Sequence, residues 1–324
     1  MAKPKIKKRW KLLIFALVLT VSSVSGVAYY LFANAAPIVS GQVIRNIPYK
    51  EGLNLDIYLP TKNAYGKTPV ILYFHGGAWI YGIKEGLNFN RFNGAANQLR
   101  GSGYAIISID YTLATSSRSP FPACIDDATD ALKWIRDHAS EYNFDLNNVG
   151  LLGESAGAQI AMMVAYSPKL SNAPSVQLKY VVEAYGPTQL RDIYQAPIVD
   201  TLYGKLAHLP SGVRGRLDIP KFIFGFDPKQ DSARAAQMME TYSPYNFVTA
   251  SAPPTLIIHG DKDRVVPVGQ SVRLQAKLDS LNVKNEFHVI AGADHAFAYA
   301  TPEQKATIQR WIVRFILRCY SDSK

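Results

Sequence analysis

From Leu53 to Tyr320 the chain repeats one pattern: a short apolar run stopped by glycine or proline, then a stretch with helical spacing. The first run, "LNLDIYLP" (53–60), alternates apolar and polar residues, as a half-buried strand does. "TPVILYFHGG" (68–77) and "GYAIISIDY" (103–111) are continuously apolar, which suits strands buried on both faces. "NVGLLG" (148–153), "LKYVVEAYG" (178–186), "PTLIIHG" (254–260) and "KNEFHVIAG" (284–292) read as further strands. Between them, 123–139 has Ile125, Ala128, Leu132 and Ile135 on one helical face. Helices are also predicted from Ser155, over 269–281 and, amphipathic, over 302–320. Strands that alternate with helices imply an α/β fold: one largely parallel sheet covered on both faces. Residues 188–253 break the rhythm. They are rich in Tyr, Pro, Asp and Arg, carry no strong strand pattern, and read as a cap-like insertion over one end of the sheet.

The N-terminus has a different character. Lys3, Lys5, Lys7, Lys8, Arg9 and Lys11 supply six of the charges behind a net +10, and no acid precedes Glu51. Without them the remainder carries only about +4, so the basic balance is a tail effect and does not indicate a nucleic-acid partner. Leu12 to Ala36 then runs without a charge, and about 20 such residues span a bilayer as a helix. The segment reads as an uncleaved signal anchor, with the domain behind it outside the cytoplasm. The rival reading is a signal peptide cut after Ala33-Asn34-Ala35, which secretes the domain. The organisation expected is therefore 1–36 tail and anchor, 37–46 linker, and 47–324 folded domain.

Three glycine-marked turns concentrate chemistry. In Gly153-Glu154-Ser155-Ala156-Gly157 a serine stands between a strand and a helix, where a strained corner exposes its hydroxyl. A serine attacks at neutral pH only if a histidine takes its proton and a carboxylate orients that histidine. "GADHAF" (292–297) places His295 after the last strand, and "HGDKDRVVP" (259–267) places Asp261 and Asp263 after another. Spacing alone does not separate the two acids. "YFHGGAW" (73–79) ends a strand in a turn whose backbone N–H groups suit a developing oxyanion. Gly77 and Ala78, with Ala156, are the candidate donors, and His75 reads as a structural hydrogen-bonder. The other histidines, His138, His208, His259 and His288, have no such setting and read as structural or exposed. The two cysteines, Cys124 and Cys319, form no metal or disulfide framework.

Taken together, "HGGAW", "IDYTLA", "FPACIDDATDALKWIRDHA", "GLLGESAGA", "YGPT", "SPYNFVTASAPPTLIIHGDKDRVVP" and "GADHAF" resemble the α/β-hydrolases of the hormone-sensitive-lipase-like esterases. They resemble most the branch of bacterial feruloyl and acetylxylan esterases. The likeness covers about 50–320. It implies a serine carboxylesterase without cofactor or metal, acting on a small-molecule ester through Ser155, His295 and Asp263. It favours Asp263 over Asp261 because the family's acid closes a Gly-x-x-Asp run ahead of Val-Pro. The family often has glycine where this chain has Ala78, a change a backbone donor tolerates. The likeness also sets the helices of Cys124 and Cys319 on opposite faces of the sheet, too far apart for a disulfide. The insertion is polar and Tyr-rich, so short acyl chains are expected. An amidase or peptidase on the same scaffold, and an inactive binding protein, are the alternatives. The oligomeric state is left open.

Overall fold

The structure, a computed structural model, describes residues 41–89, 91–167, 176–194 and 219–321. Its strands are β1 (Val43–Lys50), β2 (Leu53–Tyr58), β3 (Thr68–Phe74), β4 (Ala105–Ile109), β5 (Phe144–Glu154), β6 (Leu178–Ala184), β7 (Thr255–Gly260) and β8 (Asn285–Ile290). They form one sheet in the order β1-β2-β4-β3-β5-β6-β7-β8. The pairs β1–β2 and β2–β4 are antiparallel, and every pair from β4 to β8 is parallel. The continuously apolar runs occupy the middle of the sheet, where β4 is buried at every residue and β3 at all but its first.

The helices are α1 (Asn93–Gly101), α2 (Ala123–Asp137), α3 (Ala156–Tyr166), α4 (Leu190–Tyr194), α5 (Ile219–Phe224), α6 (Ser232–Thr241), α7 (Gly269–Ser280) and α8 (Pro302–Ser321). They divide between the two faces. One core joins β2, β3, β4, β5 and β7 to α2, α3 and α7 through Leu72, Ile135, Ile160 and Leu274. The other joins the opposite face to α1 and α8 through Ile71, Leu99, Val182 and Ile312. Cys124 lies in the first core, Cys319 packs against the second, and both are free thiols.

Two expectations change. The linker expected over 37–46 ends sooner, because β1 begins at Val43 and pairs with Tyr58 of β2. Its pattern is hard to read as a strand: Asn46 sits at φ 58°, and the register with β2 slips on either side of Ile47 and Pro48. Helix α1, not expected, covers the second face. The described parts of the 188–253 insertion carry α4, α5 and α6, and Leu190, Phe224, Ala235 and Met239 join the first core. Residues 195–218 of the insertion and the 1–36 anchor lie outside the described residues. Among the described residues no helix is long and apolar enough to cross a membrane.

Candidate active site

Strand β5 ends at Glu154 and α3 begins at Ala156, so Ser155 alone turns the chain, at φ 52° and ψ −120°. Such a conformation costs a non-glycine residue on the order of 1–3 kcal/mol and persists only when its surroundings enforce it. They do so here by close packing. A Cβ at Gly157 would stand 2.2 Å from the Phe74 carbonyl oxygen, and one at Gly153 would stand 2.3 Å from that of Gly157. The start of α3 therefore presses directly on the end of β3. The Ser155 N–H is held by the Ala184 carbonyl at 2.9 Å.

The parallel strands bring the other two side chains to the same end of the sheet. His295 follows β8, and its Nε2 lies 3.0 Å from Ser155 Oγ. Its Nδ1 lies 2.8 Å from Oδ2 of Asp263, which follows β7. Oδ1 of Asp263 accepts the N–H groups of Val265 and Val266 at 2.9 and 2.8 Å. Burial pushes the Asp263 carboxyl up, but hydrogen bonds from His259 and His295 outweigh it and hold the group down at about 2. With both carboxylate oxygens accepting, Nδ1 of His295 carries the proton and Nε2 is left bare toward the serine.

Asp261 has a different task. Its Oδ1 accepts the Gly292 N–H at 2.6 Å, tying the turn after β7 to the turn after β8. Asp294 makes a second tie, accepting Arg264 Nε at 2.6 Å and the N–H groups of Arg264 and His295 at 3.0 and 2.7 Å. The acid and base loops are thus fastened to each other on both sides of the Asp263–His295 contact.

The turn after β3 lies against the nucleophile, since a Cβ at Gly76 would stand 3.4 Å from Ser155 Cβ. Gly77, Ala78 and Trp79 are all left-handed, at φ 127°, 52° and 59°. The N–H groups of Ile80 and Tyr81 both close on the Gly77 carbonyl, at 3.0 and 3.1 Å. Among the described residues nothing accepts from the N–H groups of Gly77, Ala78 or Ala156. Ala156 also opens α3, where the helix dipole favours negative charge. His75 is buried, with Nδ1 on the Gly76 carbonyl at 2.8 Å and its ring stacked 4.3 Å from Tyr111. Burial lowers its pKa, so the ring is a neutral strut of the turn.

Several contributors carried no sequence signal. Glu154, beside the serine, accepts Tyr73 Oη at 2.6 Å and Arg91 Nη1 at 2.8 Å, and also bonds Tyr185 Oη. The Tyr185 ring meets that of His295 edge-on at 5.1 Å. Gln159 of α3 joins Trp79 Nε1 at 3.1 Å to the Tyr242 carbonyl at 2.8 Å, fastening the turn after β3 to the insertion. His259, expected as structural or exposed, is wholly buried, with Nε2 3.2 Å from Asp263 Oδ2. Among the described residues no group of three or more His, Cys, Asp or Glu is placed to hold a metal ion.

A family model described as BD-FAE matches residues 55–278. The chain is 26% identical over 240 residues to the esterase LipC of Mycobacterium tuberculosis, a match covering 74% of this chain and 54% of LipC. It spans about half the length of the curated relatives it matches. Among solved structures, a truncated carbohydrate esterase from gut microbiota superposes with a TM-score of 0.65 at 23% identity, covering 87% of this chain and 99% of that one. An esterase of Pyrobaculum calidifontis superposes with a TM-score of 0.67 at 24% identity, covering 90% and 89%. These likenesses identify the fold as that of the α/β-hydrolases.

Proposed function

The chain belongs to the BD-FAE family, and from that membership we propose a serine carboxylesterase that cleaves short-chain carboxylic esters through an acyl-enzyme. The observation that carries this reading is the hydrogen-bonded run from Ser155 Oγ to His295 Nε2 (3.0 Å) and from His295 Nδ1 to Asp263 Oδ2 (2.8 Å). It stands beside three backbone N–H groups without acceptors among the described residues.

The chemistry follows from that placement. His295 Nε2 takes the Ser155 proton as Oγ attacks the ester carbonyl. The N–H groups of Gly77, Ala78 and Ala156 receive the oxyanion. Asp263 stabilises the imidazolium, which then gives its proton to the leaving alkoxide. Water, deprotonated by the same nitrogen, releases the acid and restores the serine. Esterases named among the relatives and neighbours, LipC and the Pyrobaculum enzyme included, support an ester as the substrate. Leu12 to Ala36 we read as an anchor that holds this domain at a membrane, outside the cytoplasm.

Matched p-nitrophenyl esters and anilides test the reaction class. Ester turnover that vanishes in Ser155→Ala, with the anilides untouched, is the expected result. Equal turnover of esters by Ser155→Ala protein would remove the serine from the mechanism.

A further inference from the structure

Behind Asp263 runs a buried file of polar groups that the reaction above leaves unused. His259 Nε2 lies 3.2 Å from Asp263 Oδ2 and 2.8 Å from the Val266 carbonyl. Its Nδ1 lies 2.7 Å from Ser271 Oγ, on α7. Ser271 Oγ lies 3.0 Å from Glu183 Oε1, on β6, and Glu183 Oε2 accepts the Gly186 N–H at 2.7 Å. His259, Ser271 and Glu183 are all fully buried.

Counting hydrogens along this file constrains its protonation. Nε2 of His259 faces two acceptors, a carboxylate and a carbonyl, so it carries a hydrogen. Ser271 has one hydroxyl hydrogen but two neighbours, His259 Nδ1 and Glu183 Oε1. Were His259 neutral and Glu183 ionised, one of those contacts would set two lone pairs face to face inside the protein. The file is satisfied only if it holds one more proton. That proton sits either on Glu183, with Ser271 donating to His259, or on His259 Nδ1, with Ser271 donating to Glu183. The two forms interconvert by moving a proton at each end of Ser271, and their net charge is equal.

We propose that Glu183 is a positioning residue for the Asp263 carboxylate: through Ser271 it shares one proton with His259 and so keeps a hydrogen on His259 Nε2, which donates to the Val266 carbonyl and faces Asp263 Oδ2 at 3.2 Å. The proposal rests on the esterase reading for its catalytic consequence. Burial raises the Glu183 carboxyl to about 7, with the His259 charge opposing, while at His259 the pull of burial is outweighed by Asp263 and Glu183 and its pKa is raised. Both directions favour retention of the shared proton. Among the described residues, the titratable groups that face the file are Tyr166 from α3, Asp263 and, through Asp263, His295. Loss of the proton at alkaline pH either sets the Ser271 oxygen against a bare Nδ1 or the Glu183 carboxylate, or strips Nε2 of its hydrogen, and in the second case the Val266 carbonyl loses its donor and a bare lone pair faces Asp263 Oδ2.

Glu183→Gln discriminates. Its amide NH2 meets Ser271 and its carbonyl meets the Gly186 N–H, so it reproduces the form with neutral Glu183 permanently. In full-length protein in detergent, Glu183→Gln is expected to keep kcat on p-nitrophenyl acetate within about 3-fold of wild type. It is also expected to lack the alkaline decline in kcat that the shared proton predicts for wild type. Glu183→Ala and Ser271→Ala are expected to lower kcat by roughly 10- to 100-fold with little change in KM, the size typical of outer partners that orient a site's ligands. An alkaline limb unchanged in Glu183→Gln, or a kcat reduced more than 10-fold in it, overturns the proposal. So does wild-type kcat in folded alanine variants. Should the alanine variants not fold, the Gln profile decides. Should wild type neither hydrolyse esters nor react with a fluorophosphonate, the esterase reading fails by itself. Imidazole ¹⁵N spectra then decide the network: His259 protonated at Nε2 in wild type and Glu183→Gln supports it, and a bare Nε2 overturns it.

Discussion

Exchange of one oxygen for nitrogen at Asp263 is expected to cripple the enzyme while barely loosening it. In Asp263→Asn the amide oxygen stays with the Val265 and Val266 N–H groups, because both donate to Oδ1. The NH2 then takes the place of Oδ2, 2.8 Å from His295 Nδ1. Two donors cannot share that contact. His295 shifts its hydrogen to Nε2, and a protonated Nε2 cannot accept the Ser155 proton. The same change of tautomer in a serine protease costs about 10⁴-fold in kcat, which corresponds to about 5 kcal/mol of transition-state stabilisation. Stability suffers less. The buried His259 Nε2–H also donates to the Val266 carbonyl at 2.8 Å, so it keeps an acceptor when Oδ2 is gone. About 1 kcal/mol, the net worth of a hydrogen bond, is the expected loss. Asp261→Asn retains an oxygen for the Gly292 N–H and should keep most of the activity. Steady-state hydrolysis of p-nitrophenyl acetate with thermal melts on both variants makes the comparison. An active Asp263→Asn beside a crippled Asp261→Asn would refute the tautomer argument and move the carboxylate role to Asp261.

Three further outcomes are expected. Gly157→Ala places a Cβ 2.2 Å from the Phe74 carbonyl oxygen, so it should destabilise by at least the ~1–3 kcal/mol of an overpacked core, read as a lower urea midpoint. Asp263 is held near 2, below its ordinary 3.8, so it contributes stability above that ordinary value and loses it as pH falls toward 2. Urea unfolding at pH 5 and pH 3 should show a smaller acid loss in Asp263→Asn than in wild type. Across p-nitrophenyl esters, kcat/KM should fall from butyrate to palmitate, and a steady rise would overturn the short-chain reading.

The legible parts of the molecule are those whose chemistry is local. Strands β3 and β4 announce themselves because both faces are buried along nearly their whole length and their runs are predominantly apolar. The Ser155 turn is visible because Gly153 and Gly157 have no room for a side chain. Other parts depend on partners distant in the chain. Helix α1 hides its burial behind polar residues: Arg100 is 1% exposed, yet it is satisfied by the Leu59 and Gln42 carbonyls. Strand β1 conceals its alternation behind the left-handed Asn46 and the slipped register. His259 lies inside an apolar run, and its role emerges only when Glu183, Ser271 and Asp263 converge on it. The same holds for Arg91 and Tyr185, which reach Glu154 from other strands and loops.

The covalent intermediate on Ser155 can itself be trapped. Wild-type protein mixed with p-nitrophenyl acetate and quenched in acid should yield, by peptide mass spectrometry, an acetyl group on Ser155. His295→Ala protein, lacking the base, should yield none on the same timescale. Ester hydrolysis that proceeds with Ser155 unmodified at every quench time, or with the acetyl group on another residue, would contradict the mechanism.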